Sequence, residues 1–322
     1  PEQAKRVFQL ELMITPTARL RPLTGALLVP ALIVVGAPWS TSRVAFAQNQ
    51  VLFVSIVDSN GEPVTDLEPD DLQVRWDNEI CETLDLEPIN WPVRVTVFVD
   101  NGDGSQNALQ HMREGLKLFV DAIPEEVEVA LLTIGSQPRW VARHTVDREE
   151  LERGIDLITP DTGAAARFID ALIEEAGRLN DDDERQYFPG IVMVATDGPE
   201  GSTGLPRRLE EMLQRLVESS ATVHTRLFST GGPFQGLQVQ VGVRVSEVTH
   251  GTYESLAAST AFITTLPKLG QNIARKHTRV SHQYRLTYAP PDGASDQPSI
   301  RVAVSDRYSG VDVFPTLDGN LP

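Results

Sequence analysis

The chain has 322 residues, 41% hydrophobic and 23% charged, enough to bury a sizeable core in two or three domains and too apolar for a disordered tail. Lys and Arg total 28 against 45 Asp and Glu, a formal net charge of −17. A nucleic-acid partner is excluded, because counterion release needs clustered cations and no predicted element carries such a cluster.

The first segment is set aside before any fold is read. Arg19 and Arg21 precede an apolar run from Leu23 to Ala37, and Ala45-Phe46-Ala47 stands ahead of Gln48. Basic, apolar and small-x-small stretches in that order predict a secretory signal peptide over 1–47, cleaved after Ala47, with Met13 the more ordinary start. The run is about 15 residues and carries Pro30, short of the roughly 20 that span a bilayer. No transmembrane span is expected after cleavage, the alternative being a retained N-terminal anchor. The expected product is a strongly acidic exported protein, periplasmic or extracellular. Cys81 is the single cysteine, so no internal disulfide forms, and a buried inert thiol is expected.

An N-terminal β segment follows over 48–91. Val51 to Asp58 alternates like a strand, Ser59-Asn60-Gly61 supplies a turn, and Leu72 to Trp76 and Ile80 to Leu86 read as further strands. From 92 to 276 the period switches. Strands are predicted at Val93 to Val99, Val127 to Ile134, Arg139 to Val146, Ile191 to Thr196 and Thr222 to Phe228. Helices are predicted at Ser105 to Ala122, Ala164 to Leu179, Pro206 to Val217 and Leu266 to Lys276. The first and fourth strands are nearly continuous apolar runs, as in central parallel strands covered on both faces. The fold class is α/β, a doubly wound, mostly parallel sheet. Over 277–322 three more strands are predicted, at Tyr284 to Tyr288, Ser299 to Val304 and Val311 to Phe314. They are expected to pair with 48–91 in a β-sandwich-like module, since neither flank alone has strands enough to close a core.

Two of the apolar strands stop at a carboxylate: Asp100 ends "VTVFVD" and Asp197 ends "IVMVATDG". In open α/β sheets ligands sit beyond the carboxyl ends of strands where the strand order reverses, which here falls between the first and fourth strands. Two carboxylates in one crevice repel unless something positive lies between them. A divalent cation with a taste for oxygen, magnesium first, answers that need.

At these residues the chain resembles the von Willebrand factor type A domain family, in particular its secreted bacterial branch with β flanks. The family's metal-ion-dependent adhesion site takes DxSxS after the first strand, a Thr before a middle helix and the Asp of TDG after the fourth strand. "DNGDGS" matches the Asp at Asp100 but has Gly102 and Gly104 where the serines belong. "TPDTGAAARFIDAL" offers Thr162 a few residues early, and "VATDGPEG" keeps Asp197. The likeness extends from "VDSNGEPVTDLEPDDLQV" through "GTYESL" to "SHQYRLTYAPP". It implies a weakened Mg2+ site on Asp100 and Asp197, to which Ser105, Thr162 or Asp103 adds a shifted ligand; the other reading is a decayed site with hydrated carboxylates.

The same residues do not support other chemistries. The "GDG" loop lacks the third glycine of a dinucleotide fingerprint, since Asn107 stands there. "GSTG" at 201–204 lacks the strand-elbow-helix setting of a hydrolase nucleophile. The six histidines show no zinc spacing. The acidic "NDDDER" at 180–185 reads as a solvated link, "TGGPFQG" at 230–236 as a turn, and Trp140 as a half-buried sheet residue. No enzyme is expected. The resemblance implies an interaction module that grips another protein with the face around Asp100, Thr162 and Asp197, an acidic side chain of the partner completing the metal shell. The alternative is a structural or assembly protein whose contacts are made by the β module or the sheet edge.

Overall fold

The computed structural model describes residues 49–320 apart from 183, 204, 230–235, 292, 294 and 296–297. The expected signal peptide lies outside the described residues, as do most of 230–236 and part of 180–185.

In chain order the elements are β1 (Gln50–Val57), β2 (Leu72–Trp76), β3 (Glu79–Ile80), β4 (Glu82–Ile89), β5 (Val93–Val99), α1 (Leu109–Ala122), β6 (Val129–Thr133), β7 (Arg139–Thr145) and α2 (Arg148–Leu157). Then come α3 (Phe168–Asn180), β8 (Phe188–Thr196), α4 (Leu205–Glu218), β9 (Thr222–Phe228), α5 (Leu237–Val248), β10 (Tyr253–Leu256) and α6 (Phe262–Val280). β11 (Gln283–Ala289), β12 (Ile300–Val304) and β13 (Asp312–Thr316) close the chain. The chain divides into two units. One takes Leu67–Leu86 and Leu286–Ser309 with the described residues up to Val51, and the other takes Leu52–Asp66, Glu87–Arg285 and the chain from Gly310 onward.

The larger unit is built on a six-stranded sheet of order β10-β9-β8-β5-β6-β7. Its ladders are parallel except for β7, which runs antiparallel to β6 at one edge and is bulged. Alternation along β5 decides which helices cover which face. Val93, Val95, Val97 and Val99 belong to a core filled by Met112, Leu116 and Phe119 of α1, Leu151 and Ile155 of α2, and Phe262, Leu266 and Leu269 of α6. Phe98 faces the other way, into a core with Phe168 and Leu172 of α3, Met212 and Leu216 of α4, and Val241 and Val245 of α5. Each such side chain contributes about 1.5–3 kcal/mol on leaving water, which explains why β5 and β8 carry apolar residues on both faces. β1 and β13 form an antiparallel ladder in the same unit.

The smaller unit holds a three-stranded antiparallel sheet of order β12-β2-β3. Trp76 and Tyr288 pack with ring centroids 6.4 Å apart. Cys81 is buried, and burial pushes its thiol above the ordinary value, so little reactive thiolate forms. Asp71 is tied down by the Ser305 hydroxyl at 2.7 Å and the Glu68 N–H at 3.0 Å.

Four elements depart from the sequence expectations. The helix expected from Ser105 begins at Leu109, because Asp103–Ser105 forms a separate 3-10 turn. Helix α2 was not expected, although Asp147 caps it by accepting the Glu150 N–H at 3.0 Å. Helix α5 was not expected either: Val239, Val241, Val243 and Val245 alternate as in a strand, yet the buried set Gln238, Val241, Gly242, Val245 and Ser246 has helical spacing. β10, against β9, is a further addition.

Candidate functional site

The reversal of strand order falls between β5 and β8, which are parallel neighbours in register from Val93 with Phe188 to Val99 with Val194. β5 leads outward through β6 to β7, and β8 through β9 to β10, so the carboxyl ends of the two central strands share one mouth. Asp100 and Asp197 stand there, one residue beyond each strand.

Asp100 is 1% exposed, and both of its oxygens are engaged. Oδ1 accepts the N–H of Gly102 at 2.8 Å, and Oδ2 accepts the hydroxyl of Thr196 at 2.8 Å. Burial pushes the Asp100 carboxyl above the usual range, opposed by these two donors, which favour the charged form. Thr196 is fully buried, and its oxygen also takes the N–H of Gly198 at 3.2 Å. Asp197 is only half-buried and turns toward β9, where its Oδ2 accepts the Ser229 hydroxyl at 2.8 Å. The two carboxylates therefore sit at neighbouring strand tips but take different partners.

The remaining expected ligands serve the loops. Ser105 is fully buried and donates its hydroxyl to the carbonyl of Gly102 at 2.8 Å. Asp103 is exposed; its Oδ1 accepts the N–H of Gly163 at 2.7 Å and the Gln106 amide at 2.8 Å, while its own N–H bonds to the Ala164 carbonyl. Thr162 is exposed on the same loop.

Sequence reading missed the residues that stitch this mouth together. Asn101 accepts the N–H of Gly135 with its side-chain oxygen, donates to the Thr159 carbonyl, and receives the Asp161 N–H on its own carbonyl. Asp161 accepts both the hydroxyl and the N–H of Ser136, which hold its carboxyl below the usual range. Ala166 exchanges backbone bonds with Pro199 and Gly201. The loops after β5, β6 and β8 and the loop before α3 are thus joined in one hydrogen-bonded network of backbone and side chains. Thr196 was the one omission with a local signal, since it immediately precedes Asp197 in "ATDG".

The fit of a magnesium ion is tested by the space around these groups. A Cβ on Gly102 would lie 2.7 Å from the Ala164 carbonyl oxygen. A Cβ on Gly104 would lie 2.8 Å from Gly198 Cα and 2.8 Å from Thr196 Oγ1. Backbone and a threonine hydroxyl occupy the volume that two serine side chains would need. Six-coordinate magnesium at about 2.0–2.1 Å asks for free carboxylate oxygens and room for water. Among the described residues no group of three or more His, Cys, Asp and Glu is placed to hold a metal ion. The residues of this mouth, as arranged, do not fit the ion.

Residues 96–200 match the family model described as von Willebrand factor type A domain. No curated protein matches the chain. Among solved structures it is similar to a von Willebrand factor type A protein from Catenulispora acidiphila at 10% identity and a TM-score of 0.48, covering 84% of this chain and 72% of that one. It is similar also to BatB from Bacteroides thetaiotaomicron (12%, 0.43, 57% of this chain and 99% of that one). A third likeness is to the vWF domain of the type V pili tip protein Mfa5 from Porphyromonas gingivalis (12%, 0.42, 57% and 96%). Likenesses of this size carry no functional weight. The matched stretch holds both strand-end aspartates and the reversal of strand order, and over residues 96–200 this chain matches the von Willebrand factor type A domain family.

Proposed function

We propose that the chain is an exported, non-enzymatic protein–protein interaction module that meets its partner with the loops at the carboxyl ends of β5, β6 and β8. The von Willebrand factor type A domain match over residues 96–200 supports an interaction module. The observation that carries the reading is the stitched mouth described above: loops held by their own hydrogen bonds lose little freedom when a partner docks, which removes part of the cost of binding. Asp103, Thr162 and Gly163 are exposed there and available to touch another protein, whereas Asp100 supports them from beneath. The signal-like segment supports a location outside the cytoplasm, and among the described residues no helix is long and apolar enough to cross a membrane.

The test is crosslinked capture from the exported fraction with wild type, Asp103→Lys and Thr162→Lys. Loss of one defined crosslinked band with both variants supports the loop face; an unchanged band with both refutes it. A second reading has an observation of its own. On the edge strand β7, the guanidinium groups of Arg143 and Arg178 lie 5.2 and 5.0 Å from the centre of the Trp140 ring. Arg and Trp are the residues that dominate interface energetics. Loss of the band with Trp140→Ala alone would move the contact to the sheet edge.

A further inference from the structure

We infer that Gly102 and Gly104, standing where the family's adhesion site has serines, let the loop after β5 close onto the TDG loop, so that the Thr196 hydroxyl bonds to Asp100 and this domain holds its strand-end loops by hydrogen bonds and without a metal. Three independent observations converge on it. The first is chemical. A carboxylate 1% exposed needs a compensating positive or donating group. Asp100 has two donors, the Gly102 N–H and the Thr196 hydroxyl, each at 2.8 Å, one to each oxygen. A cation bound to either oxygen would have to displace one of them.

The second is steric. Gly104 and Gly198 face each other so closely that a Cβ on either would come within 2.8 Å of the other's Cα. The loss of serine at 104 and the close approach of the TDG loop are therefore one change: without a Cβ, the loop after β5 settles onto the loop after β8, and Thr196 Oγ1 closes the gap to Asp100. Gly102 completes it, with the Ala164 carbonyl 2.7 Å from where its Cβ would stand.

The third is mechanical. In a metal-dependent site the ion itself gathers loops from separate parts of the chain. Here backbone bonds do that work directly, from Asp103 to Ala164 at 2.9 Å, from Asp161 to Asn101 at 2.7 Å, from Ala166 to Pro199 at 3.0 Å and from Gly201 to Ala166 at 2.7 Å. No link in that chain passes through a site for an ion. The domain accordingly has a fixed face that divalent cations do not switch.

The consequence for binding rests on the interaction reading above, but the lock itself is tested without any partner. Thermal unfolding of the full chain would be followed in EDTA and in millimolar MgCl2 or MnCl2, for wild type, Thr196→Val, Thr196→Ser, Asp100→Asn and Asp100→Ala. The wild type is expected to melt at the same temperature in chelator and in cation. Thr196→Val removes only the hydroxyl and should lower the melting temperature by about 3–10 °C, whereas Thr196→Ser should recover most of the loss. Asp100→Asn should stay within about 2 °C of wild type, since an amide accepts from Gly102 and donates to Thr196 Oγ1, while Asp100→Ala should fall at least as far as Thr196→Val. A wild type stabilised by cation, an Asp100→Asn as damaged as Asp100→Ala, or a neutral Thr196→Val would each overturn the inference. If Thr196→Val does not fold, Thr196→Ser decides: a folded, cation-insensitive serine variant supports the lock, and a second failure to fold overturns it.

Discussion

Restoring the family's serine at position 104 should damage this protein rather than repair it. The new Cβ would sit 2.8 Å from Gly198 Cα and 2.8 Å from Thr196 Oγ1. Carbon atoms touching one another prefer about 3.5–4.0 Å, so the two loops must part by roughly 0.7 Å or more. That displacement stretches the 2.8 Å bond from Thr196 to Asp100 toward the limit of a hydrogen bond. Overpacking of this kind costs about 1–3 kcal/mol, and the weakened bond adds about 1 kcal/mol. With about 2–4 °C per kcal/mol for a domain of this size, Gly104→Ser should melt some 4–16 °C below wild type. Gly177→Ser is the control, because a Cβ there meets only the Arg215 side chain at 3.7 Å, and its melting temperature should not fall. The measurement is thermal denaturation by circular dichroism in EDTA and in MgCl2. A Gly104→Ser variant as stable as wild type would refute the steric argument. One stabilised by magnesium would show that the mouth opens readily to admit an ion.

Further outcomes follow from other parts of the chain. His224 is buried, with its Nδ1 accepting the Thr252 N–H at 3.1 Å, and burial lowers its pKa from 6.5 to about 3; His144 is lowered to about 3 as well, again chiefly by burial. Between pH 6.5 and 3 the unfolded chain binds these protons and the folded chain does not, so stability is lost as pH falls through that window, by up to about 1.4 kcal/mol per pH unit for each group. Urea titrations at several pH values should show the slope, and His224→Asn should flatten it. Asp147→Ala removes the cap of α2 and should cost about 0.5–2 kcal/mol in the same titration, with Asp147→Ser recovering most of it. Mass spectrometry of the exported protein should find Gln48 at its N-terminus; a mature chain that retains 19–47 would refute cleavage after Ala47.

How far the fold was legible depended on whether one face of each element could be recognised. β5 and β8 are apolar on both faces, so their place at the centre of a parallel sheet, and the reversal between them, followed from composition alone. Helix α5 was hidden because Val239, Val241, Val243 and Val245 satisfy a strand period while Gln238 and Ser246, polar and buried, complete the helical one. Helix α2 could have been found: Asp147 followed three residues later by Glu150 is an N-terminus signal. At the site, the two strand-end aspartates were visible as the ends of apolar runs. Their surroundings were not. That Asp100 meets Thr196, or that Gly104 rests on Gly198, depends on residues more than ninety positions apart, and only the folded chain brings them together. The missing serines announced a changed site; Thr196 was marked only as the Thr of the TDG motif, with nothing in the sequence to show that its hydroxyl meets Asp100.

The most direct test of a cation-free mouth is a crystal grown in manganese and examined by anomalous scattering. The account predicts no anomalous peak at the strand ends and the Thr196 hydroxyl still within hydrogen-bonding distance of Asp100. A peak bonded to the Asp100 carboxylate, with Thr196 turned away from it, would contradict it.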